Sequence, residues 1–380
     1  MSRAGVYIHV PFCRSRCSYC DFATGTYEEA LAESYVRAAE REVRSFAPED
    51  FEPAEVDTVY FGGGTPSMLA PAQVERLLAA VRGRFRVRDE AEVTLELNPG
   101  TVTPETLEEL RHVGVNRASF GVQTFDDDDL RRLGRVHTAD DARRTLRDLR
   151  AAGFRNISFD LIAGLPGQTL ENWTRNLEEA LALAPEHLSL YLLEVHEGTP
   201  LADQIRRGAA SAPDADLAAD MYNLLAARTR ECGYEQYEIS NFARPGRESR
   251  HNMKYWTGAP FYGFGPSAHS FDGRARRWSN ERDARAYVEL VERDGSAVVE
   301  VTELDEREAS AEALFLGLRL LSRGVDLGEH RARFRTDVRA LYAEDLRRFR
   351  EAGLVSIDGD VLRLTPAGAL LSNEVFAAFV

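Results

Sequence analysis

Cys13, Cys17 and Cys20 stand in a C-x3-C-x2-C spacing, within Cys13-Arg14-Ser15-Arg16-Cys17-Ser18-Tyr19-Cys20, directly after the apolar run Val6-Tyr7-Ile8-His9-Val10. An odd set of three cannot form a disulfide framework, and the one remaining cysteine, Cys232, is far along the chain. A structural zinc site normally takes four closed ligands, yet no second C-x2-C or H-x3-H pair is present to complete one. Three thiolates on a 4Fe–4S cube leave one iron open, where a small molecule can be chelated and activated. Zinc remains the competing reading of the same residues.

The elements around this cluster follow a regular alternation. Strand-like runs fall at 6–10, 56–61, 93–97, 117–122, 157–162 and 188–195. Helical patterns lie between them, near 27–46, 71–81, 104–113, 127–133 with 140–152, and 170–183. Thr103-Pro104 reads as a helix start, and Gly114 and Gly153 as helix stops. Repeated βα units predict a parallel sheet with right-handed crossovers, helices outside and chemistry at the carboxyl ends of the strands. The cysteine loop follows the first strand, which is that end. Residues 214–233 read as a further helix, and 234–278 as an aromatic, glycine-rich stretch poor in helix signal. The tail carries helical patterns at 309–321, 328–334 and 338–350, then a hairpin, 354–357 and 361–364, turning on Asp358-Gly359-Asp360. Helices followed by a hairpin predict a winged-helix-like module. Three segments are expected: a barrel over 1–235, a connecting segment over 236–299 and a C-terminal domain over 300–380.

Composition narrows the function classes. The net charge is −15, and from residue 300 onward eleven Arg face fifteen Asp plus Glu. Nucleic-acid affinity rests on clustered cations, so a DNA-binding regulator built on the winged helix is disfavoured despite the local patch Arg331, Arg333, Arg335 and Arg339. No apolar stretch approaches the roughly 20 residues that span a bilayer, and the start reads straight into a strand with no signal peptide. Four cysteines, three of them clustered, fit a reducing cytoplasm. Lys254 is the single lysine.

Further motifs fall at the expected strand ends. Gly62-Gly63-Gly64-Thr65-Pro66 closes the second strand, where glycines let a backbone approach a ligand closely. Glu96, Gln123, Arg135 and Asp160 come near the ends of successive strands, and Asp160 opens the run Asp160-Leu161-Ile162-Ala163-Gly164-Leu165-Pro166-Gly167-Gln168-Thr169. Taken with the cysteines, the chain resembles the radical S-adenosylmethionine (SAM) proteins, and within them the oxygen-independent coproporphyrinogen oxidases and their relatives. That resemblance covers essentially the whole chain. It implies an α/β fold, a partial (β/α)6 barrel with a C-terminal winged-helix-like domain. It also implies a 4Fe–4S cluster on Cys13, Cys17 and Cys20. By the same resemblance Gly63, Gly64 and Thr65 hold the SAM amino end together with Glu96. Arg135 pairs with its carboxylate, Asp160 takes the ribose hydroxyls and Gln123 hydrogen-bonds SAM. Tyr7 lies beside the cluster and Tyr19 near the adenine.

Two departures separate this chain from the oxidases it resembles. Phe22 stands where they carry a fourth cysteine, and only twelve residues precede Cys13 in place of a long extension. Both point to the sister group, the HemW-type haem chaperones, as does His251-Asn252-Met253-Lys254-Tyr255-Trp256, which is similar to their H-N-x-x-Y-W motif. The resemblance then implies haem as a third cofactor and His251 as a candidate ligand, with His269 a second. Haem-accepting respiratory proteins are the implied partners, with a bacterioferritin-type donor and a peripheral membrane contact also to be considered. The bland reading is that the motif fills a core. The rival activity is coproporphyrinogen dehydrogenation, in which SAM-derived radical chemistry removes CO2 from propionate side chains. His9 reads as a strand residue beneath the cluster and Cys232 as a small buried hydrophobe.

Overall fold

The computed structural model describes residues 3–47 and 55–379. Six parallel strands form its frame: β1 (Ala4–Val10), β2 (Glu55–Gly63), β3 (Arg86–Leu97), β4 (Arg117–Gln123), β5 (Ile157–Ala163) and β6 (His187–Leu192). Helices α1 (Glu29–Ser45), α2 (Pro71–Arg84), α3 (Pro104–Val113), α4 (Asp127–Arg132), α5 (Ala139–Ala151) and α6 (Leu170–Ala182) connect them. Thr103 caps α3 through its hydroxyl, and Gly114 ends it in the left-handed conformation, as the sequence predicts. β3 begins earlier than its apolar run, because Arg86 and Val87 pair with Glu55 and Val56 below a register shift. β6 stops at Leu192, short of the expected 195, and Val195 is exposed.

Strand alternation divides the frame into two faces. Ile8, Phe61, Leu95, Phe120, Phe159 and Leu188 point outward into one large apolar core under the helices. Helix α1 answers with Tyr35, Val36, Ala39 and Val43, spaced as one helical face. The opposite face carries Tyr7, Thr58, Tyr60, Glu96, Ser119, Asp160 and Ser189, and it lines the inside of the barrel.

Past β6 come α7 (Pro200–Arg206) and α8 (Ala215–Glu231), then β7 (Glu235–Gln236) and β8 (Asn241–Ala243), which close that edge of the sheet in antiparallel fashion. The stretch read as poor in helix signal then forms α9 (Arg250–Thr257), capped by Ser249. It continues as β9 (Phe261–Phe264), a seventh parallel strand beside β1, and as the antiparallel β10 (His269–Phe271) and β11 (Arg276–Asn280). Helix α10 (Ala284–Asp294) and β12 (Val298–Glu303) complete a twelve-stranded sheet. Its order is β12-β11-β10-β9-β1-β2-β3-β4-β5-β6-β8-β7. Glu42 of α1 ties this extension to the barrel, accepting from the Tyr287 hydroxyl (2.6 Å), Asn280 Nδ2 (2.7 Å) and Gly265 N (3.0 Å). Burial pushes its carboxyl up to about 7 against those three donors.

The C-terminal module is winged-helix-like. Helices α11 (Glu306–Leu318), α12 (Leu327–Phe334), α13 (Val338–Leu341) and α14 (Ala343–Glu351) pack on a three-stranded sheet of β13 (Val325–Asp326), β14 (Val355–Asp358) and β15 (Val361–Leu364). The helix expected over 338–350 breaks at Tyr342. This module has its own apolar core, including Leu314, Leu318, Phe349, Leu362 and Phe376. Polar clasps join it to the barrel. Arg319 pairs with the fully buried Glu238 at 3.3 Å and lies 4.2 Å over the Trp256 ring, while Arg277 pairs with Glu312. Removing one partner of a buried pair strands the other charge. Arg319→Ala should therefore lower stability by about 3 kcal/mol, the low end for such pairs since the Arg319 side chain is 25 % exposed. A lower thermal midpoint, partly restored when Glu238→Gln is added, checks this; an unchanged midpoint rejects it.

Candidate functional site

β1 delivers the chain to Phe12-Cys13, which bridges to Gly25-Thr26 and so closes the cysteine loop on itself. The loop is pinned from several sides. Ser18 N donates to Leu133 O (2.9 Å), Tyr27 N to Cys13 O (3.0 Å), and Leu201 N to Ser18 O (2.8 Å). His9 reaches up from the inner face of β1: one ring nitrogen lies 3.0 Å from Ala23 O and the other 3.2 Å from the Tyr7 hydroxyl. Its ring stays neutral, since burial lowers its pKa to about 4. All three cysteines are free and half-buried. Burial pushes the Cys13 and Cys20 thiols up. Among the described residues, no three His, Cys, Asp or Glu side chains stand in a single-ion arrangement.

The glycine run after β2 lies against this loop. Gly64 N donates to Val10 O (2.9 Å) and Thr65 N to Phe12 O (2.7 Å). A Cβ on Gly64 would sit 2.6 Å from Phe12 O and 3.0 Å from Cys13 Sγ, so only glycine fits there. Glu96, at the end of β3, accepts from the Tyr60 hydroxyl (2.7 Å) and from Gly63 N (3.2 Å). Burial pushes its carboxyl up to about 7.

Arg135 follows α4 and turns back toward the same place. Its Nη2 donates to the Tyr19 hydroxyl and its Nη1 to Asn98 Oδ1, both at 2.8 Å. Its Nε is buried with no partner. Gln123, the last residue of β4, sits at φ 66°, a left-handed conformation uncommon outside glycine. A Cβ on Gly121 would meet Gln123 Nε2 at 2.5 Å, Arg135 Nη2 at 3.3 Å and Asn98 Oδ1 at 3.3 Å, which places these three polar groups around one point. Asp160 lies in the middle of β5 and not at its end; Ser119 Oγ is 3.5 Å from its carboxylate, and burial raises its pKa.

One end of the barrel thus gathers the cysteine loop, Gly63, Gly64, Thr65, Glu96, Gln123, Arg135 and Tyr19, with Tyr7 and Asp160 in the interior below. His251 is elsewhere. Helix α9 plugs the opposite end, where Glu92 accepts from Arg250 N and His251 N and Asp57 pairs with Lys254 at 2.6 Å. His251 is 1 % exposed, and both of its ring nitrogens are engaged at 2.9 Å, by the hydroxyls of Thr58 and Tyr255. Tyr60 and Tyr7 pack on its ring. This geometry is that of a buried, doubly hydrogen-bonded side chain and does not fit an open haem ligand. His269 is exposed on β10, and Cys232, expected to be buried, is exposed.

Sequence reasoning missed Asn98 and Tyr60. Asn98 stands two residues past Glu96 in Glu96-Leu97-Asn98-Pro99-Gly100, a polar residue at a strand end before a turn, and that position was the available signal. Tyr60 sits mid-strand among apolar neighbours and carries none. Truncating His251 would leave two buried hydroxyls unpaired and open a void. His251→Ala should cost about 3 kcal/mol in a urea unfolding experiment. Unchanged unfolding would reject the packing role for this motif.

Comparison with known proteins agrees with this fold. Residues 7–180 match the Radical SAM superfamily model and residues 304–371 the HemN C-terminal domain model. The chain is 36 % identical over 375 residues to the Heme chaperone HemW of Bacillus subtilis (strain 168), covering 98 % of each. It is 36 % identical over 396 residues to the mitochondrial Radical S-adenosyl methionine domain-containing protein 1 of Bos taurus, covering 100 % of this chain and 87 % of that protein. Among solved structures, the coproporphyrinogen III oxidase HemN of Escherichia coli, described as a radical SAM enzyme, superposes with a TM-score of 0.85. That match has 26 % identity and covers 100 % of this chain and 90 % of that one. With its cysteine loop, its barrel and its C-terminal module all matched, the chain belongs to the radical SAM superfamily, in the family of the HemW-type haem chaperones and their HemN-like relatives.

Proposed function

We propose that this protein is a cytoplasmic haem chaperone that carries a 4Fe–4S cluster on Cys13, Cys17 and Cys20, binds SAM beside it, and passes haem to respiratory proteins. The observation that carries the reading is end-to-end similarity to a haem chaperone, 36 % identical and covering 98 % of both chains. Phe22 supports it: 63 % exposed, it offers no sulfur where the oxidases have a fourth cysteine. No helix among the described residues is long and apolar enough to cross a membrane, which suits delivery to a membrane-bound acceptor from outside the bilayer.

The donor set fits the two groups. Three half-buried thiols on one pinned loop suit a cube with one free iron, and such a cluster supplies a coordination position and an electron to a bound ligand. The unpartnered Arg135 Nε is a donor waiting for an acceptor, and a planar guanidinium suits the SAM carboxylate. Glu96 holds Gly63 N and faces the site as the acceptor for the amino end. Gln123 adds a polar contact, Asp160 the ribose contact, and Tyr19 a ring beside Arg135 for the adenine. The haem ligand stays unassigned, since His251 is closed.

Glu96 gives the SAM site a pH signature. An ionised carboxylate is needed to accept from the amino group, and its pKa is about 7. SAM affinity should hold above pH 7 and fall below it, approaching about tenfold per pH unit. Calorimetry across pH 5.5–8 should lose that acid limb in Glu96→Gln; an identical limb in the variant removes Glu96 from the site.

The second reading, a coproporphyrinogen oxidase, is favoured by the structural match to HemN. One experiment separates the two. Cluster-loaded protein incubated with coproporphyrinogen III, SAM and a reductant should release no CO2 over multiple turnovers. The same preparation should bind haem and transfer it to an apo-acceptor faster than free haem moves. Sustained decarboxylation would overturn the chaperone reading.

A further inference from the structure

A single hydrogen-bonded chain joins the Arg135 guanidinium to the first cysteine. Arg135 Nη1 donates to Asn98 Oδ1 at 2.8 Å, Asn98 Nδ2 donates to Thr65 Oγ1 at 2.8 Å, and Thr65 Oγ1 donates to Cys13 Sγ at 3.6 Å. Arg135 Nη2 returns to the same loop at the Tyr19 hydroxyl, two residues after Cys17. The direction of the first two links is fixed by chemistry, and that of the third once Cys13 ligates as a thiolate, which can only accept. A guanidinium only donates, so the Asn98 amide must turn its oxygen to Arg135 and its NH2 to Thr65. That NH2 occupies a lone pair of the Thr65 hydroxyl and leaves the hydroxyl proton for the sulfur. No other orientation of Asn98 satisfies both neighbours.

We propose that Asn98 is a positioning residue that links the ligand site at Arg135 to the electronic state of the cluster through Thr65 and Cys13. The inference rests on the cluster and SAM reading above. Hydrogen bonds to ligating sulfurs are among the factors that set the potential of an iron–sulfur cluster: donation onto the sulfur withdraws charge and favours the reduced form. Asn98 does not itself bond the sulfur: its amide is bonded to Arg135 and Thr65. It acts by holding the Thr65 proton toward Cys13, and the grip of Arg135 on its oxygen is what holds it. A carboxylate ligand arriving at Arg135 changes that grip, and the change is felt at Cys13 two hydrogen bonds further on.

Asn98→Asp isolates this role. A carboxylate still accepts from Arg135, but it also accepts from Thr65 and draws the hydroxyl proton away from the sulfur. Redox titration followed by electron paramagnetic resonance should therefore show a more negative midpoint in Asn98→Asp and in Thr65→Val, with Thr65→Ser close to the parent. The midpoint of the parent protein should also move on adding SAM, by more than in Asn98→Asp. Iron and sulfide per chain are measured on every sample. A variant lacking Cys13, Cys17 and Cys20 that still loads four irons would sink the cluster reading itself. Full loading with equal midpoints in parent, Asn98→Asp and Thr65→Val would overturn this proposal alone. Should Asn98→Asp fail to load, the Val and Ser exchanges at Thr65 decide: equal midpoints reject the link, and a split between them supports it.

Discussion

Parallel strands covered by helices bury both faces, so the polar residues on one face of this sheet must find partners there or remain in contact with water. That constraint shapes the molecule. The outward face of β1–β6 meets it by carrying apolar side chains under amphipathic helices. The inward face meets it by pairing polar groups with one another: Tyr60 with Glu96, Ser158 with His187, His187 with Tyr237, and Thr58 with His251. Carboxyls held in this interior are costly to ionise, which is why Glu96 sits near 7 and burial raises Asp160. A ligand bringing a cation to Glu96 would relieve part of that cost.

The two ends of the barrel resolve the same constraint differently. At the amino-terminal end α9 fills the opening, and its motif side chains are spent on closure. Glu92 satisfies the first amides of the helix, Lys254 neutralises Asp57, and His251 bonds two hydroxyls. At the carboxyl-terminal end the strands stop beside loops that are pinned but leave donors unused, Arg135 Nε among them. The unpaired buried donors are not confined to that end, since Trp256 Nε1 of α9 also has no partner, but only there do they stand beside the cysteine loop.

Outside the barrel the same logic recurs in the clasps. Glu42 and Glu238 are buried carboxylates that each hold a neighbouring element, one the β9–α10 extension and the other the winged-helix-like module. Their partners lie far along the chain: Tyr287 and Asn280 for Glu42, and Arg319 for Glu238. Such contacts give specificity to how the parts dock, because a misdocked arrangement leaves a buried charge unpaired.

The sequence by itself determined the six βα units, the position of the cysteine loop after the first strand, and the winged-helix pattern of the tail. These depend on local signals: alternation, helix caps and turn residues read over a few positions. It also marked Glu96, Gln123 and Arg135, because polar residues stand out beside apolar strands. Only the tertiary structure decided that residues 261–264 lie beside β1 as a seventh parallel strand, since their pairing partner is more than 250 residues away. Only it joined Asn98 to Thr65 and Arg135, and only it turned His251 from an open candidate ligand into a closed packing residue. A side chain's type is written locally, but whether its lone pairs are free is settled by whichever distant residues the fold brings to them.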